Sequence, residues 1–181
     1  MRLETERLYI RNFEPEDWRD LQEYISNEEV MRFELPWDSA EEGMRRDAEE
    51  FSKGDTFWAV ELKTTGKMIG HIYFGKSGPD QFQTRMIGYI FNNRFHGSGY
   101  ATEACRALLN HAFKSLGVHR VIGLCNPDNI PSWRLMERLN MRREGYSPKA
   151  VAFRTTEEGE PIWWDEYRYA ILAEEWFSLN K

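Results

Sequence analysis

The feature that most restricts what this chain can fold into is a strand running through a glycine turn straight into a long amphipathic helix. Residues 83–92 are rich in β-branched and aromatic side chains, and Gly97 and Gly99 punctuate the segment after them. Ala101, Ala104, Cys105, Leu108, Leu109, Ala112, Phe113 and Leu116 then recur at alternating steps of three and four, which is one face of a helix over 99–116. Gly117 after it suits a left-handed C-terminal cap. A helix with a single apolar stripe has to lie against a second layer, and the flanking strands provide a sheet.

The other elements fit that frame. Residues 7–13 read as a strand, and Glu14-Pro15-Glu16-Asp17 opens a helix with Pro in the first turn and acids where the dipole favours them. Ser39 with Glu42 three residues later has the pattern of a capping box for a second helix, ending near Lys53. Residues 56–62, 68–75 and 83–92, separated by turn sequences, read as an antiparallel meander. A strand is expected over 119–125 and a helix over 129–139, with Asn140 as its left-handed stop. A hairpin over 147–155 and 161–172 closes the order βααβββαβαββ. The expected fold class is α/β (α+β): one domain over 1–181, with a mixed, mostly antiparallel sheet of about seven strands and helices on both faces.

Composition narrows the function. With 181 residues, 14% of them aromatic, the chain can bury a core and is not a disordered segment. No apolar run approaches the roughly 18 residues of a membrane span, and the first residues lack the apolar centre of a secretory signal. Two cysteines, Cys105 and Cys125, are too few for a disulfide framework, so a cytoplasmic protein is expected. A formal net charge of −6 argues against nucleic-acid or anionic-membrane partners. The four histidines have no metal-ligand spacing, so no metal is expected.

The turn from Arg94 to Thr102 carries the chemistry. Backbone N–H groups at a helix start lack intrahelical partners and sit at the positive end of the dipole, and glycine lets a phosphate come close. Arg94 is the full positive charge within it. A P-loop needs Lys followed by Ser or Thr after its last glycine, whereas Gly99 is followed by Tyr100-Ala101. A dinucleotide fingerprint needs a third small residue where Thr102 stands. On spacing alone, an anion cradle and a plain strand-to-helix turn are equally good readings.

Arg94-x-x-Gly97-x-Gly99-Tyr100-Ala101-Thr102-Glu103-Ala104 resembles the acetyl-CoA signature of the GNAT N-acetyltransferases, and most closely the branch of ribosomal-protein N-terminal acetyltransferases. Glu6-Arg7-Leu8-x-Ile10-Arg11, Asn126-x-x-Asn129-x-x-Ser132 and Asp165-x-x-x-Tyr169-Ala170-Ile171-Leu172 extend the resemblance along nearly the whole chain. It implies acetyl-CoA as acetyl donor, gripped at the diphosphate by the backbone of Arg94, Phe95, His96, Gly97, Ser98, Gly99, Tyr100, Ala101 and Thr102. It further implies that Tyr89, Ile90, Phe91 and Asn92 bond the pantetheine arm through their backbone, in a slot where that strand splays from the next. Asn129 would contact the same arm, with Ser132 near the sulfur. Asn140-Met141 replaces the usual Gly-Phe, and Trp133 is bulkier than usual.

Acetyl transfer to an amine requires a neutral nitrogen, a stabilised oxyanion and a protonated leaving thiolate. At pH 7 a chain-terminal α-amine of pKa ~8 is neutral about a tenth of the time, a cost near ~1.4 kcal/mol, whereas a lysine-like or polyamine nitrogen near ~10.4 costs roughly 4.6 kcal/mol. A protein or peptide α-amine is therefore the expected acceptor, with a small amine, or acyl-CoA binding without catalysis, as the alternatives. Ser132 is the candidate proton donor to the thiolate, the bland reading being that its hydroxyl caps its helix. Glu34, between Phe33, Leu35 and Trp37, is the candidate base, against a solvated loop carboxylate. His71, expected to share a strand face with Ile69 and Tyr73, is a second candidate base, against a buried hydrogen-bonded histidine. Asp165, beside Trp163 and Trp164, is a candidate contact for a cationic acceptor. Trp163, Trp164 and Trp176 are candidate contacts of a homodimer.

Overall fold

The computed structural model describes residues 2–179, so the expected limits at 1 and 181 lie outside the described residues. Its strands are β1 (Arg2–Glu4), β2 (Leu8–Asn12), β3 (Phe57–Leu62), β4 (Lys67–Lys76), β5 (Thr84–Phe91), β6 (Arg120–Cys125), β7 (Arg142–Thr155) and β8 (Pro161–Leu172). Its α-helices are α1 (Trp18–Ile25), α2 (Glu41–Ser52), α3 (Tyr100–Ser115), α4 (Ile130–Arg138) and α5 (Ala173–Leu179). The strands form one sheet in the order β1-β2-β3-β4-β5-β6-β8-β7. Every neighbouring pair is antiparallel except β5 and β6.

Two apolar layers hold the sheet. One buries the stripe of α3 with α4, α5 and residues such as Ile10, Trp58, Ile72 and Ile171. The other packs Trp18, Leu21, Tyr24 and Ile25 of α1 and Met44 and Ala48 of α2 against Ala59, Met68 and Ile90. The mixed architecture with helices on both faces is the expected one.

Several local details differ from the expectation. Among the described residues the sheet has eight strands, because a three-residue edge strand, β1, precedes the first expected one. Helix α5 follows β8, and β7 starts at Arg142 rather than 147. The capping box forms at Glu14 with Asp17, opening a short 3-10 turn, whereas α2 is entered through Ala40 and no side chain caps it. Trp176, a proposed dimer contact, is 2% exposed and packs against Phe113.

One irregularity reassigns a candidate. The register of β3 against β4 shifts at Val60/Glu61, leaving Ile69 as the extra residue of a bulge. Ile69 points into the α3 layer, while His71 joins Tyr73 on the opposite face, among rings of the α1–α2 layer.

Candidate active site

The parallel pair β5–β6 determines where a ligand can enter. Pairing covers only Thr84–Met86 against Arg120–Ile122, after which β6 no longer accompanies β5. The remainder of β5, the turn to α3 and the start of α4 line a cleft of about 1150 Å³. Tyr89, Ile90 and Phe91 form one wall. Phe95, His96, Gly97, Gly99, Tyr100, Ala101 and Thr102 form the end towards α3, and Asn129 and Ser132 the wall towards α4. The segment between α1 and α2 contributes Glu29, Val30, Arg32, Phe33 and Glu34 at the far end.

The α3 end has the shape of an anion cradle. Gly97 and Gly99 have φ of +76° and +81°, left-handed values that other L residues adopt only with strain. A Cβ on Gly97 would meet nothing within 4 Å and would project into open space. The first bond into α3 is from Glu103 N–H to Gly99 O at 3.0 Å, so the preceding amides have no intrahelical acceptor. These residues fit a diphosphate held by backbone N–H groups.

The charges around the cradle are distributed differently from the sequence expectation. The Arg94 side chain does not line the cleft. It is 75% exposed and pairs with Glu23 at 3.0 Å. The cationic side chains that do line it are Arg106 and Arg138, with Arg32 at the opposite end. Arg138 donates from Nε to Thr102 Oγ1 at 3.2 Å, and Arg106 donates to the Arg138 carbonyl at 2.9 Å. Arg106 stands one turn after Thr102, so helical spacing alone would have found it. Arg138, on another helix, left no such signal.

Asn92 and Ser98 are likewise absent from the cleft wall. The Asn92 side chain is buried, accepts from Arg94 N–H at 3.1 Å and donates to Glu23 at 2.9 Å. Ser98 offers its carbonyl to Arg7 at 2.9 Å.

Where β5 and β6 part, Tyr89 bridges to α4. Its hydroxyl donates to the Ser132 carbonyl at 2.9 Å and lies 3.2 Å from Ser132 Oγ. Burial holds the phenol well above its ordinary pKa, so it stays protonated. Asn129 is the residue that caps α4, its side chain accepting from Ser132 N–H at 3.3 Å. The hydroxyl of Ser132 is thus not the cap. Burial likewise pushes the neighbouring Cys125 thiol up to about 12, which leaves it a poor nucleophile.

The two base candidates separate. His71 is absent from the cleft wall and sits 2% exposed among Phe13, Tyr24, Trp37, Phe51 and Phe57, with ring centroids 5.7–6.4 Å away. Its Nδ1 is 2.7 Å from the Tyr24 hydroxyl, and burial lowers its pKa to about 3. Glu34 does line the cleft. Its carboxyl makes no ion pair or hydrogen bond among the described residues, and burial raises its pKa to about 7. Asp165 is spent within the β7–β8 hairpin, accepting from the Tyr146 hydroxyl and from Lys149 N–H.

Comparison with known proteins agrees with this geometry. The acetyltransferase (GNAT) domain model matches residues 7–142. The uncharacterized N-acetyltransferase YnaD of Bacillus subtilis (strain 168) is 42% identical, over 97% of this chain and 99% of its own. The crystal structure of a GNAT-family acetyltransferase from Bacillus anthracis superposes with a TM-score of 0.86 at 39% identity, covering 97% of this chain and all (100%) of that one. The ribosomal protein uS5-alanine N-acetyltransferase of Escherichia coli (strain K12) is 24% identical over 97% of this chain and 93% of its own length. A splayed parallel strand pair, a glycine cradle at a helix start and a match over most of the chain together place this protein in the GNAT family of acetyl-CoA-dependent N-acetyltransferases.

Proposed function

We propose that the acceptor is the α-amine of a protein or peptide, acetylated by direct attack on acetyl-CoA, with Glu34 as base. The observation that carries this reading is the Glu34 carboxyl, without a polar partner among the described residues and raised to about 7 on the cleft wall. A base near 7 is matched to an α-ammonium near ~8, and is short by more than three units for a polyamine or lysine nitrogen near ~10.4. The family resemblance to an enzyme acting on a ribosomal-protein alanine is in keeping with that match.

The roles follow from the geometry. Acetyl-CoA supplies an activated acetyl carbonyl and a thiolate leaving group. Glu34 takes one proton from the ammonium, directly or through a water, leaving a nitrogen lone pair to form the new C–N bond as the C–S bond breaks. Ser132 Oγ–H lies on the α4 wall and gives its proton to the departing sulfur, and the second amine proton, lost as the amide forms, returns to Ser132 through water. Tyr89 orients Ser132 through its hydroxyl. The glycine cradle grips the diphosphate, with Arg106 and Arg138 beside it, and the backbone from Tyr89 to Asn92, at the end of β5, borders the pantetheine path with Asn129 opposite. His71 has a packing role in this scheme.

The test is an acceptor panel read by release of free thiol from acetyl-CoA. Peptides with a free α-amine should release thiol at neutral pH, and the same peptides with blocked α-amines should not. Faster turnover of polyamines or of peptide lysines would overturn the acceptor assignment. Thiol release with none of the amines, alongside tight CoA binding, would favour the non-catalytic alternative.

A further inference from the structure

The start of the chain reaches the cradle from 96 residues away. The turn from β1 to β2 is closed by Thr5 N–H donating to the Leu8 carbonyl at 3.0 Å and Leu8 N–H donating to Thr5 Oγ1 at 3.0 Å. That turn presents Thr5 and Arg7 to the first turn of α3. Glu103 Oε1 accepts from the Thr5 hydroxyl at 2.6 Å and from Arg7 N–H at 3.0 Å. Glu103 Oε2 accepts from Arg7 Nε at 2.7 Å and Nη2 at 2.6 Å. The remaining arm of the same guanidinium donates to the Ser98 carbonyl at 2.9 Å, and its Cζ lies 4.4 Å from the Tyr100 ring centroid. A Cβ on Gly99 would come within 3.6 Å of Arg7 Nη2.

Glu103 is the acidic residue in the first turn of α3 and also lines the cleft. A bare carboxylate there would complement the dipole by itself and repel a diphosphate seeking the same amides. Burial raises its proton affinity, but the bonds from Thr5 and Arg7 outweigh that and hold the carboxyl below its ordinary range, so it is charged. Arg7 offsets that charge and ties Ser98, Tyr100 and Glu103 together, which spans the cradle.

We propose that Arg7 is a positioning residue for the acetyl donor: its ion pair with Glu103 and its bond to the Ser98 carbonyl hold the cradle open and electrically receptive to a diphosphate. The inference rests on the cradle being the CoA site, as argued above. The Arg7 side chain is 40% exposed, and an ion pair at that exposure adds little to stability, so the effect belongs in ligand affinity rather than in folding.

The experiment compares CoA with pantetheine, which lacks the diphosphate, by calorimetric titration of the full chain and of Arg7→Met, Arg7→Lys and the Arg7→Met/Glu103→Gln pair. Arg7→Met should weaken CoA about tenfold and leave pantetheine within twofold. Arg7→Lys should recover part of the loss. The double variant, having no carboxylate to neutralise, should bind CoA more tightly than Arg7→Met alone. Equal weakening of both ligands, or no weakening of CoA, overturns the proposal. So does a double variant no better than the single one. Failure of the unaltered protein to bind CoA at all would instead overturn the assignment of the cradle.

Discussion

The two ends of the cleft are built on opposite principles. At the α3 end the polar side chains are stapled to distant parts of the chain: Glu103 to Thr5 and Arg7, Asn92 and Arg94 to Glu23, Thr102 to Arg138. At the other end Glu34 has no polar partner among the described residues. Its segment is held instead by the edge of Phe33 against Trp164, 6.3 Å between centroids, and by Arg154 donating to the Met31 carbonyl at 2.8 Å. A phosphate cradle works by preorganised dipoles, so its supports must be satisfied in advance. A base works by exchanging a proton, and any ion-pair partner would hold its pKa down and take away that capacity. On the proposed roles, rigidity and reactivity fall at different ends of the cleft.

The largest effect should come from the rigid end. Gly99→Val puts a β-branched residue at φ +81° and its Cβ toward Arg7, so CoA affinity should fall by about a hundredfold or more in calorimetric titration. Unchanged affinity would remove the loop from the site. At the reactive end, Glu34→Gln should lower kcat by roughly 10²-fold at pH 7, within the usual range for loss of a general base. The unaltered enzyme should gain rate as pH rises through about 7, and the variant should lose that limb and recover partly at high pH. A pH-independent deficit would leave Glu34 without a role as base.

Between the two ends, Ser132→Ala should slow transfer about tenfold with CoA affinity retained. Because Asn129 provides the helix cap, the thermal midpoint should hardly move. A large drop in that midpoint with unchanged kcat would make the hydroxyl structural.

The last effect concerns His71 and falls on stability rather than on the reaction. Its folded pKa of about 3 lies below the unfolded value of about 6.5, so the unfolded chain binds the extra proton in that window. The contribution is present above pH 6.5 and is lost as pH falls toward 3, at up to ~1.4 kcal/mol per pH unit. Urea midpoints should decline over that range in the unaltered protein and decline less steeply in His71→Gln.

Much of the architecture was legible because it is periodic. Helix α3 was expected over 99–116 and spans Tyr100–Ser115, though Leu116, the last residue of the expected stripe, lies beyond it and is exposed; the left-handed stop at Asn140 has φ 61°. The three-strand meander is also in place. Strand β1 escaped because three residues carry no period, and its existence depends on β2 lying beside it. The bulge at Ile69 escaped for a related reason: strict alternation predicts one face for Ile69 and His71, and only the partner strand shows the slip. Ser39 attracted the capping box in sequence because Ser is a strong N-cap. In the fold the pairing formed at Glu14 and Asp17, where Arg11 binds both Asp17 oxygens at 2.8 Å.

The candidate site was legible in the same uneven way. Glycines at 97 and 99, opening a helix, mark left-handed turns because φ is a local property, and the family resemblance chose a cradle over a plain turn and supplied Ser132; Glu34 could be named from its apolar neighbours in the chain. Side-chain direction could not. Arg94 stands in the loop as its charge and instead faces Glu23 on α1, whereas Arg106 and Arg138 line the cleft.

The sequence by itself determined where the chain turns left-handed, where the longest helix runs and which family signature it carries, since these depend on residues within a few positions of each other. The tertiary structure alone decided that Arg7 meets Glu103, that Glu34 is desolvated and has no polar partner among the described residues, and that β5 parts from β6 after Met86. Those outcomes depend on strand order and on exclusion of water, which bring together residues whose spacing along the chain holds no record of the encounter.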